Sequence, residues 1–331
     1  MQRDTDFTAI LNQFAGKRII VLGDVMLDRD IIGPSFRRSP EADVPVILNP
    51  RIEERLGGAG AVAAMCAAFG ATVDLIGVTD SRKYRQIRDQ CMKAGVSPEV
   101  PSSIHVATVK ERIWIETKDG RQQVARIDRE EPGRIDMSTE DLLGRAIGNK
   151  LSLNPDIVIV SDYFKGVCTG RVVAALADVH DQVIVDPPRG QSWDKYRGVS
   201  CLVPNAIEAR GRLAFRIRHE FETEAVIVKQ GDCGCLLSEK TYDPLTPLLV
   251  ARKSTELDPC GAGDQFIATL ALARAAGGDW IQSAQLANIA AGMQVERYGC
   301  VPVTFAELQQ EISRDCQPEG MPRLCGANEA G

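Results

Sequence analysis

Three residues with almost no side chain, Gly261-Ala262-Gly263, are followed by a carboxylate, Asp264, and then by an apolar helical pattern. A helix that opens this way leaves its first backbone N–H groups bare, and its dipole favours an anion there. Two readings fit. One is a tight turn with an N-terminal acid. The other is a cradle for a phosphate with a general base beside it, Asp264 taking a hydroxyl proton as the oxygen attacks phosphorus. In the second reading the helix dipole keeps the Asp264 pKa low, so that the group is ionised at neutral pH. Three further acids end apolar runs: Asp24 after IIVLG, Asp162 after VIVS and Asp186 after VIV. Ligands of open α/β sheets sit beyond the carboxyl ends of the strands. Acceptor-only carboxylates there suit sugar hydroxyls, although each acid alone equally suits a cap or a turn.

The elements that must position these residues can be read from periodicity. KRIIVLG, TVDLIGV, DIVIVSDY and QVIVDPP read as buried strands, and EAVIVKQGDCGCLLS as two strands around a glycine turn. Between them lie helical patterns, GGAGAVAAMCAAFGA closed by Gly70 and GRVVAALADVHD. Longer helices are predicted over Gly261–Ala276 and Trp280–Tyr298, and Thr304 with Glu307 forms a capping box for the last one. Short apolar strands alternating with helices mean an α/β fold, a mostly parallel sheet with helices on both faces. Two segments break the rhythm. Residues 30–54 are punctuated by proline. Residues 104–128 alternate apolar and polar around KDG, a hairpin pattern. Together they predict a small antiparallel sheet inserted as a lid. Residues 1–315 then form one domain, and 316–331 a disordered tail.

The chain has 331 residues, 44% hydrophobic and 25% charged, with a net charge of −6. That is ample for a core and argues against a nucleic-acid partner. No apolar run reaches membrane-span length and the N-terminus lacks signal-peptide organisation, so no membrane partner and a cytoplasmic location are expected. The 10 cysteines form no paired framework and the 3 histidines are far apart, which fits reduced thiols and no zinc site. Neither G-x-x-x-x-G-K-[ST] nor G-x-G-x-x-G after a strand occurs, so a nucleotide must be held otherwise.

GGAGAVA at Gly57–Ala63, VPNAIE at Val203–Glu208, VKQGDCG at Val228–Gly234 and DPCGAGD at Asp258–Asp264 occur in the order and spacing of the ribokinase-like (PfkB) carbohydrate kinases. The chain resembles that family from about Lys17 to Leu308. Within it, GDVMLDRDIIGPSFRRSPEADVPV, VSDYFKGV, VIVDPPRGQSWDKYRG and AAGMQVERYG are similar to the D-glycero-β-D-manno-heptose 7-phosphate kinases of lipopolysaccharide-core precursor synthesis. The resemblance implies a three-layer α/β/α fold. It also implies ATP-dependent phosphorylation of the anomeric hydroxyl of a heptose 7-phosphate, en route to ADP-heptose.

It further implies roles. Gly261, Ala262 and Gly263 would form the anion hole and Asp264 the base. Asp24, Gly57 and Gly58 would contact the sugar. Asn205 and Glu208 would help place magnesium and phosphate, Lys229 and Gly231 would lie along the nucleotide, and Asn288 would flank adenine. Asp258 and Gly299 would mark a loop for a monovalent cation such as potassium, and the lid would mediate a homodimer. A phosphorylated sugar needs a cation at its far end. Lys110, Arg112 and Arg126 on the predicted hairpin, with Lys165, are candidates, and Asp28 and Asp128 accompany them in the expected substrate site. An arginine fork suits a phosphate dianion, though such residues also blunt exposed strand edges.

The sequence departs from the family at Ala61, where an asparagine usually touches the sugar, and at Cys260, commonly threonine or serine. Gln265 replaces a small or hydroxyl residue, and the stretch from Glu208 to Glu224 is short, so an outer helix is expected to be trimmed. There is no H-x-G-H motif, so the expectation is a kinase domain without the fused adenylyltransferase. A kinase for another sugar or nucleoside, or a sugar-phosphate sensor without turnover, stays open.

Overall fold

A computed structural model describes residues 7–103, 107–118, 120–130, 133, 135–179, 181–240, 246–248 and 257–315. The predicted tail at 316–331 lies outside them, as do 104–106 at the start of the second predicted insertion. The chain begins α1 (Phe7–Leu11), β1 (Arg18–Gly23), β2 (Val25–Arg38), β3 (Pro45–Ile47), β4 (Arg51–Gly58) and α2 (Ala59–Ala68). Next come β5 (Thr72–Ile76), β6 (Thr79–Asp80), α3 (Tyr84–Lys93), β7 (Val96–Glu99), β8 (Ser102–Ser103), β9 (Thr108–Thr117) and β10 (Gly120–Arg129). α4 (Met137–Leu151), β11 (Ile157–Ser161), α5 (Gly170–Val179), β12 (Val183–Asp186), β13 (Cys201–Leu202), α6 (Ala206–Ala209) and α7 (Ala214–Phe221) follow. The last elements are β14 (Ala225–Lys229), β15 (Cys235–Glu239), β16 (Thr246–Leu248), α8 (Ala262–Ala275), α9 (Trp280–Gln294) and α10 (Phe305–Asp315).

Among the described residues, nine strands form the central sheet in the order β16-β15-β14-β13-β12-β11-β1-β5-β7. From β14 to β7 all neighbours are parallel, and β15 is antiparallel to β14 and β16. The strands are continuous apolar runs because both faces are covered. In β1, Ile19 and Val21 join a core with α2, α8 and α9, while Ile20 and Leu22 join a second core with α4, α5 and α7. The result is an α/β architecture with a mostly parallel sheet and helices on both sides. No helix of the described residues is long and apolar enough to cross a membrane.

The second sheet has five strands and differs from the prediction in two ways. It starts at Val25, one residue past Asp24, and ends at Arg129, so Asp28 lies within it. It is mixed rather than antiparallel. β2 pairs antiparallel with β4 and β3 on one edge, but parallel with β9 on the other. The parallel pair is possible because α2, β5, α3 and β7 intervene between β4 and β9, returning the chain in the original direction. β9 and β10 form the predicted antiparallel hairpin, with a bulge between Gln123 and Ala125.

One helical prediction shifts. α9 stops at Gln294 rather than Tyr298, because Leu257 and Asp258 donate their N–H groups to the Val295 carbonyl at 2.8 and 3.1 Å. The stretch expected to carry a trimmed outer helix holds α7, eight residues long, which buries Ile217 and Phe221 in the second core. The capping box ahead of α10 is present: Thr304 N–H donates to Glu307 at 2.8 Å and Glu307 N–H to Thr304 Oγ1 at 3.4 Å.

Candidate active site

α8 begins where the chain turns left-handed at Gly261, φ 81°. A β-carbon there would lie 3.0 Å from Cys300 Sγ and 3.2 Å from its Cα, so the turn requires glycine. No side chain caps the helix; within its first turn the Ala262 N–H donates to the Pro259 carbonyl at 3.3 Å. Asp264 sits in that turn, 7% exposed, and its Oδ1 accepts from the Tyr163 hydroxyl at 2.8 Å. Burial pushes the Asp264 carboxyl up to about 6. The Tyr163 hydroxyl and Lys229 oppose the rise, and Asp186 and Asp28 add to it. The expectation of a low pKa is therefore wrong: the helix end favours the charge, but loss of water outweighs it.

Tyr163 was not singled out by the sequence reading. It belongs to the loop after β11, and that loop is organised by Asp24, which follows β1. Asp24 accepts from the N–H groups of Tyr163 (2.8 Å), Lys165 (3.0 Å) and Val167 (3.2 Å) and is 2% exposed. Burial, then repulsion from Asp162, raises its carboxyl to about 6. Asp24 thus holds the loop that aims Tyr163. Asp162 is similarly committed, accepting from Phe164 N–H at 2.7 Å, from Lys195 and from the Tyr196 hydroxyl. Lys165 reaches away to Glu130 at 2.8 Å.

The second sheet faces this corner with charges in register. Asp28 on β2 pairs with Lys110 on β9, which pairs with Asp128 on β10; one step along, Asp30, Arg112 and Arg126 align. Strand alternation puts all six on one face. Arg112 Nη1 donates to Asp28 at 3.2 Å, and both side chains are below 10% exposed. Arg126 grips Asp128 through both oxygens at 2.7 and 2.8 Å. Asp30 accepts from Arg55 at 2.7 Å and from Trp114 Nε1 at 2.8 Å. The Lys110 ammonium lies over the Tyr163 ring, 4.8 Å from its centroid, which connects the second sheet to the partner of Asp264. Gly57 and Gly58 close β4 against this face. A β-carbon on Gly57 would come 2.8 Å from Asp28 Oδ2, and one on Gly58, at φ 56°, 2.4 Å from the Asp24 carbonyl. Neither approach leaves room for a side chain.

A second charge cluster flanks the turn. Lys229 Nζ donates to Asp186 at 2.9 Å and lies 3.5 Å from where a Gly263 β-carbon would stand. Glu208 closes a capping box on Asn205: its oxygens accept from Asn205 N–H at 2.7 Å and Nδ2 at 2.6 Å. Burial and then Asp186 push the Glu208 carboxyl above its ordinary range; burial likewise raises Asp186, against Lys229. Two half-buried carboxylates beside one lysine, which pairs with Asp186 only, are short of positive charge, so this donor set fits a hydrated divalent cation. Asn205, also expected to help place the cation, has its side chain in the cap, its Oδ1 accepting from Glu208 N–H at 2.9 Å. Gly231 lies in the turn between β14 and β15 at φ 62°. Asn288 is buried on α9, its Nδ2 3.5 Å from Cys235 Sγ.

Asp258 does not present free oxygens to a monovalent cation. Its carboxylate accepts from Cys260 N–H at 3.0 Å and Gly299 N–H at 2.8 Å. Gln294 Nε2 donates to the carbonyls of Cys260 (3.3 Å) and Gly299 (2.8 Å). Amide donors fill the positions the expected cation would take, so these residues do not fit it. Ala61 is buried at the start of α2 and lines a cleft with Arg55, Leu56 and Cys300. Gln265 supports the turn from behind, accepting from Val303 N–H at 3.0 Å.

Among known proteins, a heptose 7-phosphate relative from Bordetella bronchiseptica, "D-beta-D-heptose 7-phosphate kinase", is 37% identical over 320 residues, spanning 90% of this chain and 97% of its own length. The "Bifunctional protein HldE" of Stutzerimonas stutzeri is 33% identical over 90% of this chain, which spans 64% of that longer protein. Of solved structures, phosphofructokinase-2 from Escherichia coli superposes with a TM-score of 0.71 at 15% identity, over 92% of this chain and all of the other. Ribokinase from Thermotoga maritima gives 0.64 at 19% identity over 90% and 99%. These two establish the ribokinase-like fold alone. Residues 17–304 match the pfkB family of carbohydrate kinases. A buried carboxylate at a helix start without a side-chain cap, with a row of second-sheet charges facing it, is thus set in a chain that belongs to the pfkB carbohydrate kinase family and is a phosphotransferase acting on a sugar hydroxyl.

Proposed function

We propose that the protein transfers the γ-phosphoryl group of ATP to the anomeric hydroxyl of D-glycero-β-D-manno-heptose 7-phosphate. The observation that carries the mechanism is Asp264, buried at the opening of α8, where no side chain caps the helix. The 37% identity to the Bordetella kinase supports the substrate. The amides of Gly261–Gly263 hold the transferring phosphoryl oxygens, and Lys229 lies along the phosphates. Asp264 takes the proton of the attacking hydroxyl as the P–O bond forms and ADP leaves. Tyr163 orients the carboxylate and holds it ionised. Magnesium, when bound, offsets phosphate charge; Asp186 and Glu208 would hold it through water. No potassium requirement is part of this reading.

The far phosphate of the sugar falls to Arg126 and Lys110. Arg126 is paired with Asp128 at an exposed site, where an ion pair is worth little, so it can change partners. Arg112, buried with Asp28, keeps its partner. Purified protein should turn over heptose 7-phosphate far faster than free sugars or nucleosides, giving a 1,7-bisphosphate visible by phosphorus NMR. Arg126→Ala should raise the KM for the sugar phosphate about tenfold or more and leave that for ATP nearly unchanged. A preference for an unphosphorylated acceptor would point instead to a kinase of another sugar or nucleoside.

We also propose a homodimer through the second sheet acting as a lid. Phe36 is 82% exposed, Ile52 61% and Ile127 42%, all on that sheet, and β10 is an open edge. Light scattering at micromolar concentration should give twice the monomer mass, reduced to one by Phe36→Asp. A monomeric wild type contradicts this.

The pH profile tests the base. Asp264 works only when ionised, and its carboxyl titrates near 6, so kcat/KM should fall below about pH 6 and level off above it. The Tyr163 hydroxyl lowers that pKa. Tyr163→Phe should therefore move the acid limb to higher pH, losing more activity relative to wild type at pH 6 than at pH 8. An unmoved limb would assign it to another group.

A further inference from the structure

Two thiols meet directly beside the phosphoryl-binding turn. Cys260 Sγ and Cys300 Sγ are 3.1 Å apart. Cys260 precedes Gly261 and is partly exposed; Cys300 is buried and packs against the place where a Gly261 β-carbon would stand. The loops that carry them are cross-braced by the Asp258 carboxylate on one side and the Gln294 amide on the other. The sulfurs are therefore held facing each other. An S–S bond is about 2.05 Å long, so bond formation asks for about 1 Å of approach.

The surroundings favour oxidation over metal binding. Arg112 Nη2 donates to Cys260 Sγ at 3.2 Å, and a guanidinium stabilises a thiolate. Cys300 Sγ lies 3.5 Å from Asp28 Oδ2, an acceptor for its proton. The ligand atoms of Asp28, Cys260 and Cys300 do lie within 4.8 Å of one another, but Arg112 touches two of the three and would repel a divalent cation. Cys260 is partly exposed, which opens its sulfur to a small oxidant, while a cleft of about 300 Å³, lined by Arg55, Leu56, Ala61, Pro302 and Cys300 among others, borders the second thiol.

We propose that Cys260 and Cys300 form a reversible disulfide that switches off phosphoryl transfer, with a small peroxide as oxidant. The Cys260 thiolate attacks one peroxide oxygen, the O–O bond breaks, and a sulfenic acid and hydroxide form; the hydroxide takes a proton to become water. Cys300 then attacks the Cys260 sulfur, its proton leaving by way of Asp28, and the sulfenic oxygen departs as a second water. Two thiols and one hydrogen peroxide give one disulfide and two waters. Drawing Cys260 toward Cys300 removes the acceptor of Arg112 and pulls the adjoining Gly261 turn. A displacement of about 1 Å at the reacting groups costs on the order of 100-fold in rate. The loss of activity, though not the bond itself, rests on the assignment of Gly261–Asp264 to phosphoryl transfer.

The test treats the whole protein with hydrogen peroxide in the presence of a metal chelator, removes both by desalting into magnesium buffer, then reads non-reduced peptide masses and ATP turnover. The expected result is a linked peptide pair carrying Cys260 and Cys300, turnover down about 100-fold, and recovery in dithiothreitol. Cys260→Ser and Cys300→Ala should each show nearly the same turnover before and after peroxide, while Cys233→Ser should still switch. Absence of the linked pair, or inhibition in Cys300→Ala equal to that of wild type, overturns the proposal. A linked pair with unchanged turnover overturns the switch and also removes the turn from phosphoryl transfer. Inhibition that appears only without chelator identifies a metal site and overturns it as well.

Discussion

The loss of water around Asp264 is the constraint on which the rest depends. A carboxylate at a helix start ordinarily stays strongly acidic, because the dipole and the free amides favour its charge. Here α8 is sunk between the central sheet and α9, with Phe266 to Ala273 buried. The helix can begin at that depth only because Gly261 turns left-handed against Cys300. The protein accepts a buried charge in exchange for a base poised close to neutrality, and a group with that pKa can both lose and regain a proton during turnover.

Everything around Asp264 serves to aim it or to bring partners to it. Asp24 spends both oxygens on the loop after β11, which fixes Tyr163, whose hydroxyl meets Asp264. One residue beyond Asp24 the chain enters β2, so the aiming loop and the second sheet share an anchor. Lys110 over the Tyr163 ring completes the connection. A shift of the second sheet would therefore be felt at the base through one aromatic ring. On the opposite side, Asp258 and Gln294 tie the turn to Gly299. The family expectation of a cation there meets amide donors instead.

Much of this was legible in the sequence. Runs such as IIVLG and IVIVS announce strands buried on two faces, and their order implies a parallel sheet. The small-residue turn ending in Asp264 could be read as a phosphate cradle only together with the family resemblance, since that spacing alone equally suits a tight turn with an N-terminal acid. What escaped depends on contacts distant in sequence. The parallel pairing of β2 with β9 follows from a crossover of residues 59–103, not from either strand's pattern. Tyr163 looks like any loop tyrosine until Asp24, 139 residues away, takes its N–H. Asp186 could be named as a strand-end acid, but its link to Lys229 needs β12 and β14 placed in one sheet. The raised pKa of Asp264 escaped for the same reason, since helix position alone predicts the opposite sign and burial decides it.

The central claim is that Asp264 is a base kept under strain, not a helix cap. Asp264→Asn separates the two when turnover, ATP affinity and unfolding stability are measured on one sample. The carboxyl titrates near 6 in the fold against 3.8 ordinarily, so the charged form costs stability, and that cost is complete above about pH 6. The account predicts turnover lower by about 100-fold or more, ATP affinity retained, and stability at pH 7 higher by an amount on the order of 1 kcal/mol. Near-native turnover, or a less stable protein at pH 7, would contradict it.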